Sequence, residues 1–256
     1  MRAAGRWRGL AAGLVFLSGT LIGALGVSTS EAATTLTVWP IGDSITNGSA
    51  DRPHVVAGGY RAPLARALAA RGTRIHYVGT IATNPSPALV SAGQHHDGHS
   101  GWQTSRVLDS FDSWKVATPD VVIVSLGTND LLHGHVSPAV AAGRLAHLIT
   151  AVTMRFPEAD VLVATVVPRG KPGTCDSTTR EYDARVRSLV RQEALLGMRV
   201  HLVDSWAAFT NGTCSTSPGL LSRDGIHPNR AGYLALGQVI ADVLEPIAKA
   251  RRSLIS

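Results

Sequence analysis

The sequence is short of charge, of lysine and of cysteine. Only 16% of its 256 residues are charged, and no long run of one sign occurs, which excludes a disordered tail or a polyelectrolyte arm. Lys115, Lys171 and Lys249 are the only lysines, so the formal net charge of +6 is carried by arginines placed singly along the chain. Nucleic-acid surfaces gather their basic residues on one helix or arm; none is gathered here, and no nucleic-acid partner is expected. Cys175 and Cys214 are the only cysteines, too few for an all-cysteine zinc site and suited to a single disulfide in an exported protein. Hydrophobic residues, in contrast, reach 45%. With the length, that fits one α/β domain of moderate size.

The first 32 residues read as a targeting segment. Arg2, Arg6 and Arg8 precede an uncharged apolar stretch from Gly9 to Ser30, and small residues follow at Ser30, Ala32 and Ala33. That layout reads as a secretory signal peptide cleaved after Ala32, with a retained membrane anchor as the alternative, since the run approaches the length of a spanning helix. Residues 33–256 are then the folded domain, secreted, monomeric and without stable membrane association once the signal is removed.

Along that domain, apolar runs of strand length alternate with longer segments of helical period. Strands are expected at Thr35–Pro40, Arg74–Val78, Val121–Leu126, Val161–Val167 and Val200–Val203. Helices are expected at Tyr60–Arg71, Pro138–Phe156, Thr179–Leu196 and Ala231–Ile247. Val121–Leu126 is almost wholly apolar, as a strand buried on both faces of a parallel sheet must be. The alternation argues a three-layer α/β/α sandwich around a five-stranded parallel sheet. In such sheets the functional groups collect in loops after the strands' carboxyl ends, here 41–48, 79–102, 127–137, 168–178 and 204–229.

Four of those loops carry the residues of a nucleophilic site. Ser44, in Gly42–Asp43–Ser44, follows the first strand, where a tight turn exposes a hydroxyl; it needs a base to become a nucleophile. Asp224 stands three residues before His227, close enough to hold Nδ1 so that Nε2 takes the serine proton. Pro228 keeps His227 out of the helical region. An oxyanion needs donors: the Ser44 and Gly101 backbone N–H groups and the Asn129 side-chain amide are candidates. Asp43 and Asp130 read as structural hydrogen-bonders and, with His99 and Trp102, as candidate substrate contacts. His95, His96, Asp97 and His99 form the densest ligand-like cluster; with no helix to align them they read as a polar cleft wall, and no metal is expected. Trp102 and Trp206 offer flat apolar faces for a sugar, with core packing the default for each. His133 and His135 follow the Asn129 loop and read as a solvated segment beside the site.

Gly42–Asp43–Ser44, Gly101, Gly127–Thr128–Asn129–Asp130 and Asp224–x–x–His227 occur in the order of the four blocks of the GDSL, or SGNH, hydrolases. The chain resembles that family over essentially the whole mature length. Within it, Gly98–His99–Ser100–Gly101–Trp102 and Gly127–Thr128–Asn129–Asp130 are similar to family 3 carbohydrate esterases, the acetyl xylan esterases. The resemblance implies a flavodoxin-like sandwich, Ser44 as nucleophile, His227 as base, Asp224 as its orienter, and Ser44, Gly101 and Asn129 as oxyanion donors. It implies no cofactor and a small ester or acylated carbohydrate as substrate. A lipase or phospholipase taking longer acyl chains, and a non-catalytic sugar-binding module on the same scaffold, are the alternatives.

Overall fold

Val121–Ser125 reads VVIVS, and its first four residues are completely shielded from solvent at the centre of the sheet. Helices on both faces are what such a run requires. The computed structural model describes Met1 and residues 35–51, 54–171, 173–210 and 216–253. The expected signal segment and Cys214 lie outside the described residues.

Strands β1 (Thr35–Gly42), β2 (Arg74–Tyr77), β3 (Asp97–Gly98), β4 (Val121–Ser125), β5 (Asp160–Ala164) and β6 (Val200–Val203) pair in parallel in the order β2-β1-β4-β5-β6. The sixth, β3, is two residues long and pairs with the end of β1. It falls inside the segment read from sequence as the 79–102 loop, because two residues carry no periodicity. Helices α1 (Ser44–Asn47), α2 (Arg61–Ala70), α3 (Thr104–Phe111), α4 (Thr128–Leu132), α5 (Pro138–Arg155), α6 (Ser177–Leu195), α7 (Ser205–Thr210) and α8 (Arg230–Ser253) complete the chain.

Period-two alternation along the strands builds two cores. Val38, Val121, Ile123 and Leu162 face Leu64 and Leu68 of α2 and Leu236, Ile240 and Leu244 of α8. Trp39, Ile41, Val122, Val124 and Val163 face Val107 of α3, Leu145 and Ile149 of α5 and Val186 of α6. The three layers expected from sequence are present. α8 is long and apolar enough to cross a membrane by length and composition, but it lays its buried side on α2 as a core helix does.

Boundaries differ from the sequence reading at several elements: the strand expected at Val161–Val167 is Asp160–Ala164, and two further shifts have a visible cause. The first strand passes its expected end at Pro40 and reaches Gly42. Val38 O accepts from Val78 N and Gly42 O from His99 N, so these residues turn their polar groups to the β2/β3 side. Pro40 lies between them, at the break between β2 and β3, where its missing N–H is not needed. The last helix runs past Ile247, and past Pro246, to Ser253. Its final turn is tied down by Arg251, which pairs with Asp160 at 2.6 Å, and by Arg252, which donates to Thr73 Oγ1 at 3.0 Å.

The chain goes from β1 outward to β2 and returns past β1 to β4, so the order reverses between β1 and β4. A crevice opens at the carboxyl ends of strands flanking such a reversal. The loops after β1 and β4 are those of Ser44 and Asn129.

Candidate active site

Ser44 is the first residue of α1, immediately beyond β1. The capping role open to a serine at such a turn belongs instead to Asp43, whose Oδ1 accepts from Ile45 N at 2.9 Å. The Ser44 hydroxyl is thereby left free to face His227 Nε2 at 2.8 Å.

His227 comes from the other end of the chain. Ser222 N donates to His227 O and Asn229 N to Leu220 O, so the segment folds back on itself with a tight turn between Ser222 and Gly225. Asn229 then caps α8 through Ala231 N at 2.8 Å and Gly232 N at 3.1 Å. In the turn, Asp224 Oδ2 meets His227 Nδ1 at 2.6 Å, and its Oδ1 accepts from Ile226 N and His227 N at 2.9 and 3.0 Å. A carboxylate on Nδ1 fixes the proton there and leaves Nε2 as the acceptor for the serine hydroxyl. Partial burial works to raise the Asp224 pKa; the His227 side chain and the two backbone N–H groups outweigh it and hold the carboxyl below its ordinary range. The Asp224 N–H is anchored by Asp51 Oδ1 at 3.0 Å. Asp51 has no motif around it, and sequence reasoning missed it.

The Gly101 backbone sits at φ +81, exposed, with nothing near the position a Cβ would occupy. Its N–H makes no hydrogen bond among the described residues, and neither does that of Ser44. Gly101 is placed by its neighbours: His99 N donates to Gly42 O, and Trp102 N to His99 O. Asn129, one residue into α4, is 5% exposed and directs Nδ2 at the Trp102 carbonyl at 3.0 Å and at Asp43 Oδ2 at 3.3 Å. The α4 loop turns on Gly127, at φ +126, where a Cβ would lie 2.4 Å from the Tyr182 ring.

These groups share one cavity of about 240 Å³, walled by Ser44, Gly101, Asn129 and His227, with Val55, Leu132 and Ile226 as apolar sides. His54 and His133 also line it, and His54 separates it from a second, more open cavity of about 520 Å³ bounded by Asp51, Arg223 and Asp224. Hydroxyl, imidazole and carboxylate in sequence, with the unbonded N–H groups of Ser44 and Gly101 on residues of the same cavity, can perform acyl transfer.

Several expected contacts are corrected. Asp43 and Asp130 do not face a substrate: they are 1% and 0% exposed and fully engaged. Asp130 accepts from Thr104 N and Oγ1 at 2.9 Å each and from Arg144 Nη1 at 2.9 Å. His99 stacks on Trp102 at 4.0 Å between centroids, with Trp114 beside the pair at 5.4 Å from His99 and 6.5 Å from Trp102, and the Arg106 guanidinium lies 4.4 Å from the Trp102 centroid. His99 and Arg106 are thus stacked on Trp102, and neither Trp102 nor His99 lines the cavity. Trp206 is 5% exposed and packs in the core, so no sugar-stacking wall forms from the two.

Within the His95–His99 cluster, Asp97 Oδ1 and His99 Nε2 meet at 3.4 Å, while the His96 ring is taken up by Gly98 N and Thr83 O. His95 is exposed and His96 buried; Asp97 is buried and accepts from Trp39 Nε1 at 2.6 Å, Thr80 N at 3.0 Å and the Thr80 hydroxyl. Among the described residues no group of three His, Cys, Asp or Glu is placed to hold a metal.

The profile of the GDSL-like lipase/acylhydrolase family matches residues 41–235. A multidomain esterase of Ruminococcus flavefaciens is 26% identical over 245 residues, 86% of this chain and 30% of that protein. Subunit alpha1 of human platelet-activating factor acetylhydrolase IB is 31% identical over 130 residues, 49% of this chain and 52% of that subunit. The chain therefore spans less than two thirds of either curated relative. A family 3 carbohydrate esterase of Clostridium thermocellum superimposes with a TM-score of 0.70 at 27% identity, over 86% of this chain and 100% of that one. Another, from Talaromyces cellulolyticus, shares the fold with a TM-score of 0.67 at 22% identity, covering 84% of this chain and 99% of its own.

Proposed function

The chain belongs to the GDSL-like lipase/acylhydrolase family, and from that premise we propose that it is a secreted serine esterase removing a small acyl group, acetyl above all, from a carbohydrate. The observation that carries the reading is the continuous run Ser44 Oγ to His227 Nε2 at 2.8 Å and His227 Nδ1 to Asp224 Oδ2 at 2.6 Å, opening into the same cavity as Gly101 and Asn129.

In this reading Ser44 Oγ attacks the ester carbonyl as its proton passes to His227 Nε2. The carbonyl π pair moves to oxygen, where the Ser44 and Gly101 N–H groups and the Asn129 amide receive the charge. When the tetrahedral species collapses, the C–O bond to the alcohol breaks, and the imidazolium returns its proton to the departing alkoxide. Water then attacks the acyl-Ser44 ester by the same steps, releasing the acid and restoring the hydroxyl. Asp224 stays ionised throughout, stabilising the imidazolium.

A small cavity closed by Val55, Leu132 and Ile226 favours a short acyl chain, and the adjoining cavity edged by Asp51, His54 and Arg223 suits a hydroxyl-rich alcohol. The likeness to family 3 carbohydrate esterases points the same way. Rates on p-nitrophenyl acetate, butyrate and octanoate, together with acetate release from acetylated xylan, test the proposal. The expected order is acetyl fastest, and Ser44→Ala should lose about 10⁴-fold or more in turnover with its fold intact. A preference for octanoate would establish the lipase alternative. A folded, inactive wild type would establish the binding-module alternative.

A further inference from the structure

Asp43 bears on two of the three donors of the proposed oxyanion hole and has no part in the steps above. Its Oδ1 caps α1 through Ile45 N and so fixes the turn on which the Ser44 N–H sits. Its Oδ2 accepts from Asn129 Nδ2, from a loop 86 residues away in sequence. At 1% exposure it is beyond the reach of a substrate.

An amide side chain fits its surroundings either way round, and what its two ends face decides the choice. Asn129 Nδ2 faces two acceptors, Asp43 Oδ2 at 3.3 Å and Trp102 O at 3.0 Å. Turned over, Asn129 would set its own oxygen against both, losing two hydrogen bonds in a buried place.

We propose that Asp43 is a positioning residue: its carboxylate keeps the nitrogen of Asn129, rather than the oxygen, at the wall of the cavity. One rigid side chain would then set both the Ser44 N–H and the Asn129 amide, and with them the spacing of two donors. The inference rests on the reading of Asn129 as an oxyanion donor. The contact to Asp43 is the longer of the two that Asn129 makes, so that hydrogen is the one shared with an oxyanion forming in front of it, while the other stays on Trp102.

Asp43→Asn isolates this role. The variant keeps the shape and an oxygen for Ile45 N, so the cap survives, but it presents an NH₂ group to the NH₂ group of Asn129. On p-nitrophenyl acetate kcat should fall about tenfold or more, KM should stay within about twofold, and the melting temperature should hold. On an Asn129→Ala background the same substitution should have no further effect on kcat. Should Asp43→Asn fail to fold, Asp43→Ser keeps a capping oxygen but is too short to reach Asn129, and should likewise lose kcat. A kcat for the folded variant within about twofold of wild type, a loss tracking the melting temperature, or a loss that persists in full without Asn129 would each overturn the inference. If Asn129→Ala itself leaves kcat unchanged, the oxyanion reading has failed first.

Discussion

His96 and Asp43, both buried beside the site, respond to acid in opposite directions. Burial, and then the nearby positive charge of Arg61, lowers the His96 pKa to about 4. The geometry agrees: Nδ1 accepts from Gly98 N at 3.0 Å and Nε2–H donates to Thr83 O at 2.9 Å, which is the neutral ring. The unfolded chain takes up a proton near pH 6.5 and the folded one only near 4, so His96 costs stability as the pH falls through that window. Burial pushes Asp43 the other way, up to about 6, against the pull of the Ile45 N–H and His227. The folded state therefore binds that proton first, and Asp43 adds stability as the pH falls from 6 towards 3.8. The two act against each other in the wild type, so a variant is needed to isolate either. His96→Asn keeps an acceptor for Gly98 N and removes the titration; denaturant unfolding should show the wild type's advantage shrinking by about 2–3 kcal/mol between pH 7 and pH 4. A difference independent of pH would show that His96 is not buried neutral. Asn129→Ala belongs to the same scale: the expected fall is roughly 10²–10³-fold in kcat with KM little changed, and full activity with a lowered melting temperature would mean that Asn129 only ties its loop.

The connection from β4 to α4 is held by α6 rather than by its own sequence. Tyr182, completely buried on α6, donates its hydroxyl to Leu126 O at 2.8 Å, and its ring covers Gly127. Tyr182→Phe should cost about 1–2 kcal/mol in urea unfolding through the carbonyl left without its donor, with esterase turnover little changed because the ring still covers the glycine. No loss of stability would place that carbonyl on another donor. Such cross-element links separate what the sequence shows from what it hides. β4 and α5 were legible because a double-faced apolar run and a three-turn amphipathic stripe have no competing reading. α3 was missed because its apolar marks, Val107, Leu108 and Phe111, fall within little more than one turn, the other buried residue being the polar Thr104, and β3 because Asp97 and Gly98 offer no pattern at all. Ser44, Asp224, His227, Gly101 and Asn129 could be named because each adjoins a strand end or a fixed-spacing pair; the structure gathers Ser44, Gly101, Asn129 and His227 at one cavity, with Asp224 behind His227. The inward turn of Asp43 and Asp130 was not legible, since Asn129 and Arg144, 86 and 14 residues away, hold them; that of His99 and Trp102 depends on how the two rings and Arg106 stack on one another, which spacing does not show.

At the scale of the whole molecule, Cys175 stands just before the Asp176 cap of α6, and its pairing with Cys214 remains a proposal. Mass spectrometry of the exported protein without reductant should find the two joined and the chain beginning at Ala33; two free thiols would refute the bridge. The order of the motifs has a further effect. Ser44 Oγ and His227 Nε2 stand 2.8 Å apart across 183 residues of sequence, and closing a span of that length is among the slow events of folding a parallel sheet. A nascent chain therefore carries its nucleophile early and acquires its base almost last. In refolding from urea, ester turnover should lag behind recovery of the far-ultraviolet helical signal, which makes catalysis a clock for the final docking of the carboxyl-terminal segment.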